Sequence, residues 1–357
     1  MDLLDLGFNQ ELENYRKENS LGSFQIGRVI LEHKERYVVK TEAKEYEAEI
    51  IGNLRFTARS REDFPTVGDW VAISEYDEDK VLIHAIYPRK TMIERQAVGK
   101  FGEKQIIAAN IDYAFIVQAV DRDFNINRIE RYLAICNNSK VKAIIILNKV
   151  DLIDNNKLTE IIKASQSRIT AVPIIALSNK TKHGYLSLME YFEKGKTYCL
   201  LGSSGVGKST LMNNILGSDQ MKTNTISQST SKGRHVTSHR ELVVLENGGI
   251  LIDNPGMREV GMADSGEGIE KTFEQIAELA VNCKYADCTH AHENGCAVIE
   301  AVKNDELDKA AYENYLKMKR EESFFELSQE EKRKKDKDFG KMVKNVKKDL
   351  KKLKGNR

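Results

Sequence analysis

Short apolar runs alternate with charged positions from residue 21 to about residue 90: "FQIGRVILEH", "RYVVKT", "YEAEIIG", "DWVAISEY" and "KVLIHAIYP". A period of two, broken by charged turns and by "FPTVGD", predicts five short strands in about seventy residues, which fits a small barrel of the OB type. "PTVGDWV" predicts a tight turn that sends Trp70 inward. Farther on the period changes. Runs with continuous apolar centres ("YAFIVQAV", "KAIIILNKVD", "AVPIIALS", "TYCLLG", "GILIDNPG") are separated by amphipathic stretches such as "RIERYLAICNNS" and "LTEIIKASQS". Strands apolar on both faces and separated by helices predict a parallel sheet covered on both sides. From about residue 264 the pattern is helical, interrupted by a cysteine cluster, and the tail is a Lys-rich helix candidate.

These shifts divide the 357 residues into an N-terminal extension (1–20), a barrel (21–92), a nucleotide-binding α/β domain (93–263), a cysteine-bearing helical domain (264–331) and a basic tail (332–357). No run of about 18 apolar residues predicts a membrane span. The acidic start "MDLLDLGFNQELENYRKENS" has no basic-then-apolar leader, so a cytoplasmic location is expected. The net charge of +1 hides an asymmetry: residues 332–357 carry 13 Lys or Arg against 3 Asp, or +10, which leaves −9 for the rest. A basic tail on an acidic body points to a polyanionic partner, although a solvated, unstructured end has the same composition.

Of five cysteines, Cys136 and Cys199 lie in apolar runs and read as core fillers. Cys283, Cys288 and Cys296 fall within fourteen residues, in "CKYADCTHAHENGC". Three thiolates and one imidazole satisfy tetrahedral Zn²⁺ with no position open to water, which makes such a site structural. The spacing leaves His290 and His292 as rival fourth ligands.

"GSSGVGKST" (202–210) follows the strand "TYCLLG" and matches Gly-x4-Gly-Lys-Ser/Thr. Gly202, Gly205 and Gly207 let the N–H groups of Ser203, Ser204 and Val206 turn around phosphate oxygens, at the positive end of the helix that continues through Thr210. Lys208 would reach the β- and γ-phosphates, and the Ser209 hydroxyl would bind Mg²⁺. In "ILIDNPG" Asp253 ends another apolar strand, where a carboxylate can hold Mg²⁺ and Gly256 leaves room at the γ-phosphate. Upstream, "KGRHVTSHREL" offers Thr237 as a second Mg²⁺ ligand ordered by GTP. Met257 stands where Ras-like enzymes use a glutamine, so intrinsic turnover is expected to be slow, on the order of 10⁻⁴ to 10⁻² per second; His235 is the candidate substitute.

"NKVD" supplies the base reader. Ionised Asp151 accepts from the paired N1 and N2 donors of guanine, which adenine lacks. Asn148 ties the base edge to neighbouring loops, the Lys149 stem lies over the ring beside Val150, and "ALS" (Ala176, Leu177, Ser178) offers N–H groups to O6. The base reader precedes the phosphate loop, the reverse of an ordinary GTPase. Circular permutation accounts for this, because loops at the carboxyl ends of parallel strands converge whatever their order in the chain.

Taken together, the barrel, "NKVD", "GSSGVGKST", "GRHVTSHREL", "DNPGMRE" and the cysteine knuckle resemble the circularly permuted, ribosome small-subunit-dependent GTPase A family, over nearly the whole chain. The resemblance implies a multidomain α/β fold: an OB-type barrel, a circularly permuted P-loop GTPase domain and a zinc-binding helical domain. It implies GTP hydrolysis stimulated by the small ribosomal subunit, contact with ribosomal RNA, late subunit maturation and a monomeric protein. It also selects His290 over His292 as the zinc ligand. Val236 and Ser238 depart from the family's usual threonines, and the extension has no counterpart in the pattern. Two other readings remain: an RNA-binding assembly scaffold whose nucleotide only sets conformation, and a P-loop kinase, for which "NKVD" would have no purpose.

Overall fold

The computed structural model describes residues 2–33, 36–96, 104–121, 124–217, 240–253 and 266–326. Strands β1 (Gln25–His33), β2 (Arg36–Lys40), β3 (Glu45–Ile50), β4 (Trp70–Asp77) and β5 (Lys80–Ile86) follow the order β1-β2-β3-β5-β4, and β4 returns to pair with β1. The barrel is therefore closed. Val29, Val39, Val71, Ile73, Val81 and Ile83 fill it without exposure.

Trp70 is buried, but not inside the barrel. With period two, Val71 and Ile73 point inward while Trp70 and Ala72 face outward, where the N-terminal extension covers them. That segment forms a turn at Leu3–Leu6 and helix α1 (Gln10–Glu18), with Leu6 fully buried. Phe8 meets Trp70 edge-to-face at 5.1 Å, and Asp5 pairs with Lys194 at 2.7 Å. The Arg28 guanidinium, 1% exposed, donates to the carbonyls of Leu6, Gly68 and Asn110 and to Thr197 Oγ1. Burial lowers its pKa to about 10, with Asp112 and Asp69 opposing the shift. Extension, barrel and α/β sheet are thus joined at one buried cation.

In the α/β part, β8 (Tyr113–Ala119), β9 (Lys142–Asn148), β10 (Ile174–Leu177), β11 (Thr197–Leu201), β12 (Arg240–Val244) and β13 (Ile250–Asp253) lie in the order β10-β9-β8-β11-β13-β12. All neighbours are parallel except β12, which is antiparallel to β13. One face packs Phe115, Val117, Tyr198 and Leu200 against α5 (Tyr185–Met189) and α6 (Lys208–Leu216). The other packs Ile116, Ile145, Cys199 and Ile252 against α3 (Ile126–Asn138) and α4 (Asn155–Arg168). Cys136 and Cys199 are fully buried, and burial pushes the Cys136 thiol up to about 12, as inert core thiols require.

β12 pairs on its far edge with barrel strand β1, at Leu31↔Glu241 and Glu32↔Arg240. The barrel therefore continues the nucleotide-binding sheet. A separate hairpin, β6 (Met92–Gln96) with β7 (Lys104–Ala109), precedes β8. The C-terminal helices share the rear core instead of forming their own: Ile269, Phe273, Val298, Tyr315 and Met318 join the cluster of α3 and the sheet. Gly268 approaches α3 so closely that a Cβ there would lie 2.2 Å from the Ala134 carbonyl oxygen. No described helix is long and apolar enough to cross a membrane.

Candidate functional site

The carboxyl ends of β9, β10, β11 and β13 carry the predicted loops, and the structure brings the first three together beside the end of β8. β11 runs into the phosphate loop, whose glycines are obligatory. Gly202 has φ +144, and a Cβ there would lie 2.3 Å from the Val117 carbonyl oxygen. Gly207 has φ +97, and a Cβ there would lie 2.4 Å from Asn148 Nδ2 and 2.8 Å from Asn179 Nδ2. Val206 is buried, whereas Ser204, Gly205, Ser209 and Thr210 are exposed. α6 begins at Lys208, so its unpaired N–H groups open onto this loop. The Lys208 ammonium is held by the carbonyls of Gly202 and of Ser203, the latter at 2.6 Å. From α3 the Tyr132 hydroxyl bonds Ser203; burial is the main cause of its raised pKa.

The base reader meets this loop directly. Asn148 is fully buried, and its Nδ2 donates to the Val206 carbonyl at 2.7 Å. Its Oδ1 accepts the Lys149 N–H at 2.8 Å. Lys149 has a left-handed φ of +66, and its ammonium pairs at 2.8 Å with Asp121. The exposed Asp151 carboxylate accepts the Ser178 hydroxyl at 2.6 Å, while Val150 packs against the rear core. Ala176 and Leu177 are strand residues paired with β9, and the Ser178 N–H donates to the His183 carbonyl. The Ser178 hydroxyl is the part of this triplet that touches Asp151. Asp253 ends β13 half-buried, and burial raises its carboxyl pKa. His235, Thr237, Gly256, Met257 and the tail 332–357 lie outside the described residues.

Sequence reasoning missed two groups here. Asp121 follows a largely apolar strand, a signal like the one that singled out Asp253. Asn179 comes directly after "ALS" and donates from Nδ2 to the Gly207 carbonyl at 2.8 Å.

A second site lies among the C-terminal helices. Ligand atoms of Cys283, Cys288, His290 and Cys296 all fall within 4.8 Å of one another. Cys283 Sγ lies 3.8 Å from Cys296 Sγ and 3.5 Å from His290 Nδ1, which is 3.4 Å from Cys296 Sγ. Zn–S bonds of about 2.3 Å and Zn–N bonds of about 2.1 Å in a tetrahedron demand edges of roughly 3.6–3.8 Å, so the residues fit the ion. His290 belongs to the cluster and His292 does not. The Tyr312 hydroxyl donates to the His290 carbonyl at 2.6 Å, fixing the loop.

A family model described as RsgA GTPase matches residues 86–263. A relative from Bacteroides thetaiotaomicron, small ribosomal subunit biogenesis GTPase RsgA 1, is 40% identical over 344 residues, covering 96% of each chain. The chain belongs to the RsgA GTPase family. An RsgA from Methanosarcina acetivorans is 41% identical over 320 residues, 89% of this chain and 85% of that one. Among solved structures, YjeQ from Thermotoga maritima matches with a TM-score of 0.61 at 26% identity, over 82% of this chain and 96% of that chain. YloQ, described as a circularly permuted GTPase, shares the fold with a TM-score of 0.60 at 23% identity, over 84% and 95%. An ABC transporter model also matches residues 187–347. That stretch contains the phosphate loop common to both kinds of protein and omits Asn148–Asp151, so it does not explain the base reader. As an RsgA-family member the protein is a P-loop GTPase that hydrolyses GTP, with an OB-like barrel and a Cys3His group compatible with zinc.

Proposed function

We propose that this GTPase binds the small ribosomal subunit and acts late in its maturation, with the subunit stimulating GTP hydrolysis. Near-full-length identity to relatives named for small-subunit biogenesis supports the partner. The observation that carries the nucleotide reading is the Asn148–Val206 hydrogen bond, which joins the base reader to the phosphate loop across 58 residues of sequence. In this reading Asp151 recognises guanine, the Lys149 stem covers the ring, and the N–H groups of residues 203–207 bind phosphate. Lys208 stabilises charge on the transferred phosphoryl group, an interaction that strengthens as the bond to the leaving oxygen breaks. Ser209, Thr237 and Asp253 would hold Mg²⁺, which when bound neutralises phosphate charge, and Gly256 would approach the γ-phosphate. His235 is proposed to position water. Cys283, Cys288, His290 and Cys296 would hold one structural Zn²⁺.

The protein is further read as monomeric and cytoplasmic, divided as residues 1–20, 21–92, 93–263, 264–331 and 332–357. Barrel, zinc-binding helices and tail would grip ribosomal RNA, and the tail's ten excess positive charges make that grip salt-sensitive. The test is GTP turnover with and without purified small subunits, with ATP as control. Stimulation restricted to GTP is expected, and equal rates with and without subunits would overturn the reading. Lys208→Ala separates this from a scaffold whose nucleotide only sets conformation: maturation should fail along with turnover, whereas maturation that survives favours the scaffold.

A further inference from the structure

Between the guanine-reading loop and α6 runs a chain of polar contacts that the GTPase motifs do not include. Asn179 Nδ2 donates to the Gly207 carbonyl at 2.8 Å, and the same carbonyl accepts the Leu211 N–H at 2.9 Å, the first hydrogen bond of α6. The Tyr185 hydroxyl donates to Asn179 Oδ1 at 2.7 Å. Asn214 Nδ2 then donates to the Tyr185 oxygen at 2.7 Å and to the Asn179 carbonyl at 3.1 Å.

We propose that Asn179, with Tyr185 and Asn214, is a positioning unit that locks the phosphate-binding helix to the base-reading loop. Its polarity is fixed by chemistry. A backbone carbonyl only accepts, so the NH₂ of Asn179 must face Gly207 and its oxygen must face a donor, which the Tyr185 hydroxyl supplies. That hydroxyl, having donated, accepts from Asn214. The contacts reach α6 at both Gly207 and Asn214, about two turns apart, so they resist tilting as well as sliding. At Gly207 the amides of Asn148 and Asn179 converge from the two base loops onto one residue, where a Cβ would collide with both. The N–H groups that meet phosphate belong to this held end of the helix. Removing Asn179 therefore costs affinity through the phosphates more than through the base.

This inference rests on the reading of the cleft as the guanine-nucleotide site. The test measures dissociation constants of the full-length protein for GMP, GDP and GTP by competition, in the wild type, Asn179→Ala, Tyr185→Phe and the double variant. Asn179→Ala should weaken GDP and GTP about tenfold and GMP less than about threefold. Tyr185→Phe should follow in the same direction, and the double variant should be no worse than Asn179→Ala, because the tyrosine acts through the asparagine. Equal losses for all three nucleotides, additive losses, or unchanged affinity for GDP in a folded variant would each overturn the proposal. Should Asn179→Ala fail to fold, the GMP-to-GDP contrast in Tyr185→Phe decides. A wild-type protein that binds no GDP refutes the site itself, and the positioning unit falls with it.

Discussion

The Asn148 side-chain amide donates to the Val206 carbonyl at 2.7 Å, and both groups are buried. The first element of the motif order thereby props up the second. Truncation of Asn148 leaves the carbonyl unpaired in a dry site and frees the loop beneath the phosphates. Asn148→Ala is expected to weaken GDP binding by roughly 10- to 100-fold, read by calorimetric titration.

Base selectivity should be exchangeable at a single atom. Asp151 accepts hydrogen bonds, and Ser178 holds one of its oxygens at 2.6 Å. Asp151→Asn replaces an acceptor with a donor, which suits a carbonyl at purine position 2 better than an amino group. Preference should move from guanine to xanthine nucleotides. Competition between GDP and xanthosine diphosphate measures it, and retained guanine preference would contradict the assignment.

Metal removal should be felt beyond the knuckle. Cys296, 3% exposed, belongs to the same core cluster as Ile252 and Cys199 of the nucleotide-binding sheet. Chelation, or Cys283→Ser, is expected to lower the melting temperature by on the order of 10 °C. Calorimetry should show one shifted transition, with no early knuckle melting followed by an unaltered GTPase peak.

Asp253 sets function against stability. Burial raises its pKa, so the native carboxyl holds its proton more firmly than the unfolded chain does. In nucleotide-free, metal-free protein its stabilising contribution is greatest below the unfolded value of about 3.9 and declines as pH rises through the higher native value. Asp253→Asn should therefore raise the melting temperature of the nucleotide-free protein at pH 7 by about 1–3 °C while slowing GTP hydrolysis. A lowered melting temperature would count against burial as the cause.

The N-terminal extension has a spectroscopic reporter. Trp70 is the only tryptophan, and Leu6, Leu12 and Phe8 pack over it. Deleting residues 2–20 should red-shift its emission, and Leu6→Ala alone should cost about 2–4 kcal/mol in urea unfolding. The nucleotide site lies at the opposite ends of the strands, so GDP affinity should change less than twofold.

Whatever depended on local period or on a short motif was legible in the sequence. The five barrel strands and the Cys3His cluster fall in that class, as does the meeting of "NKVD" and "GSSGVGKST" at neighbouring strand ends. Whatever depended on a partner distant in sequence was not. Trp70 read as an inward residue because nothing in "PTVGDWV" reveals that Leu6 and Phe8 will cover the barrel's outer face. That the cysteine-bearing helices share a core cluster with α3 was not legible, because their amphipathic faces do not announce which partner covers them. Asp121 and Asn179 carry no motif; only the convergence of strand ends gives them partners.

β12 has both edges committed, one to β13 beside the phosphate loop's own strand and the other to β1 of the barrel. A ribbon shared in this way behaves as a rung common to two ladders. Residues 218–239, which include the proposed magnesium ligand Thr237, lead directly into it, and Asp253 pairs with Glu241 beside that entry, at the open end of the hairpin. Any rearrangement around the terminal phosphate that tugs on this rung must either strain backbone hydrogen bonds at the seam or carry the barrel with it.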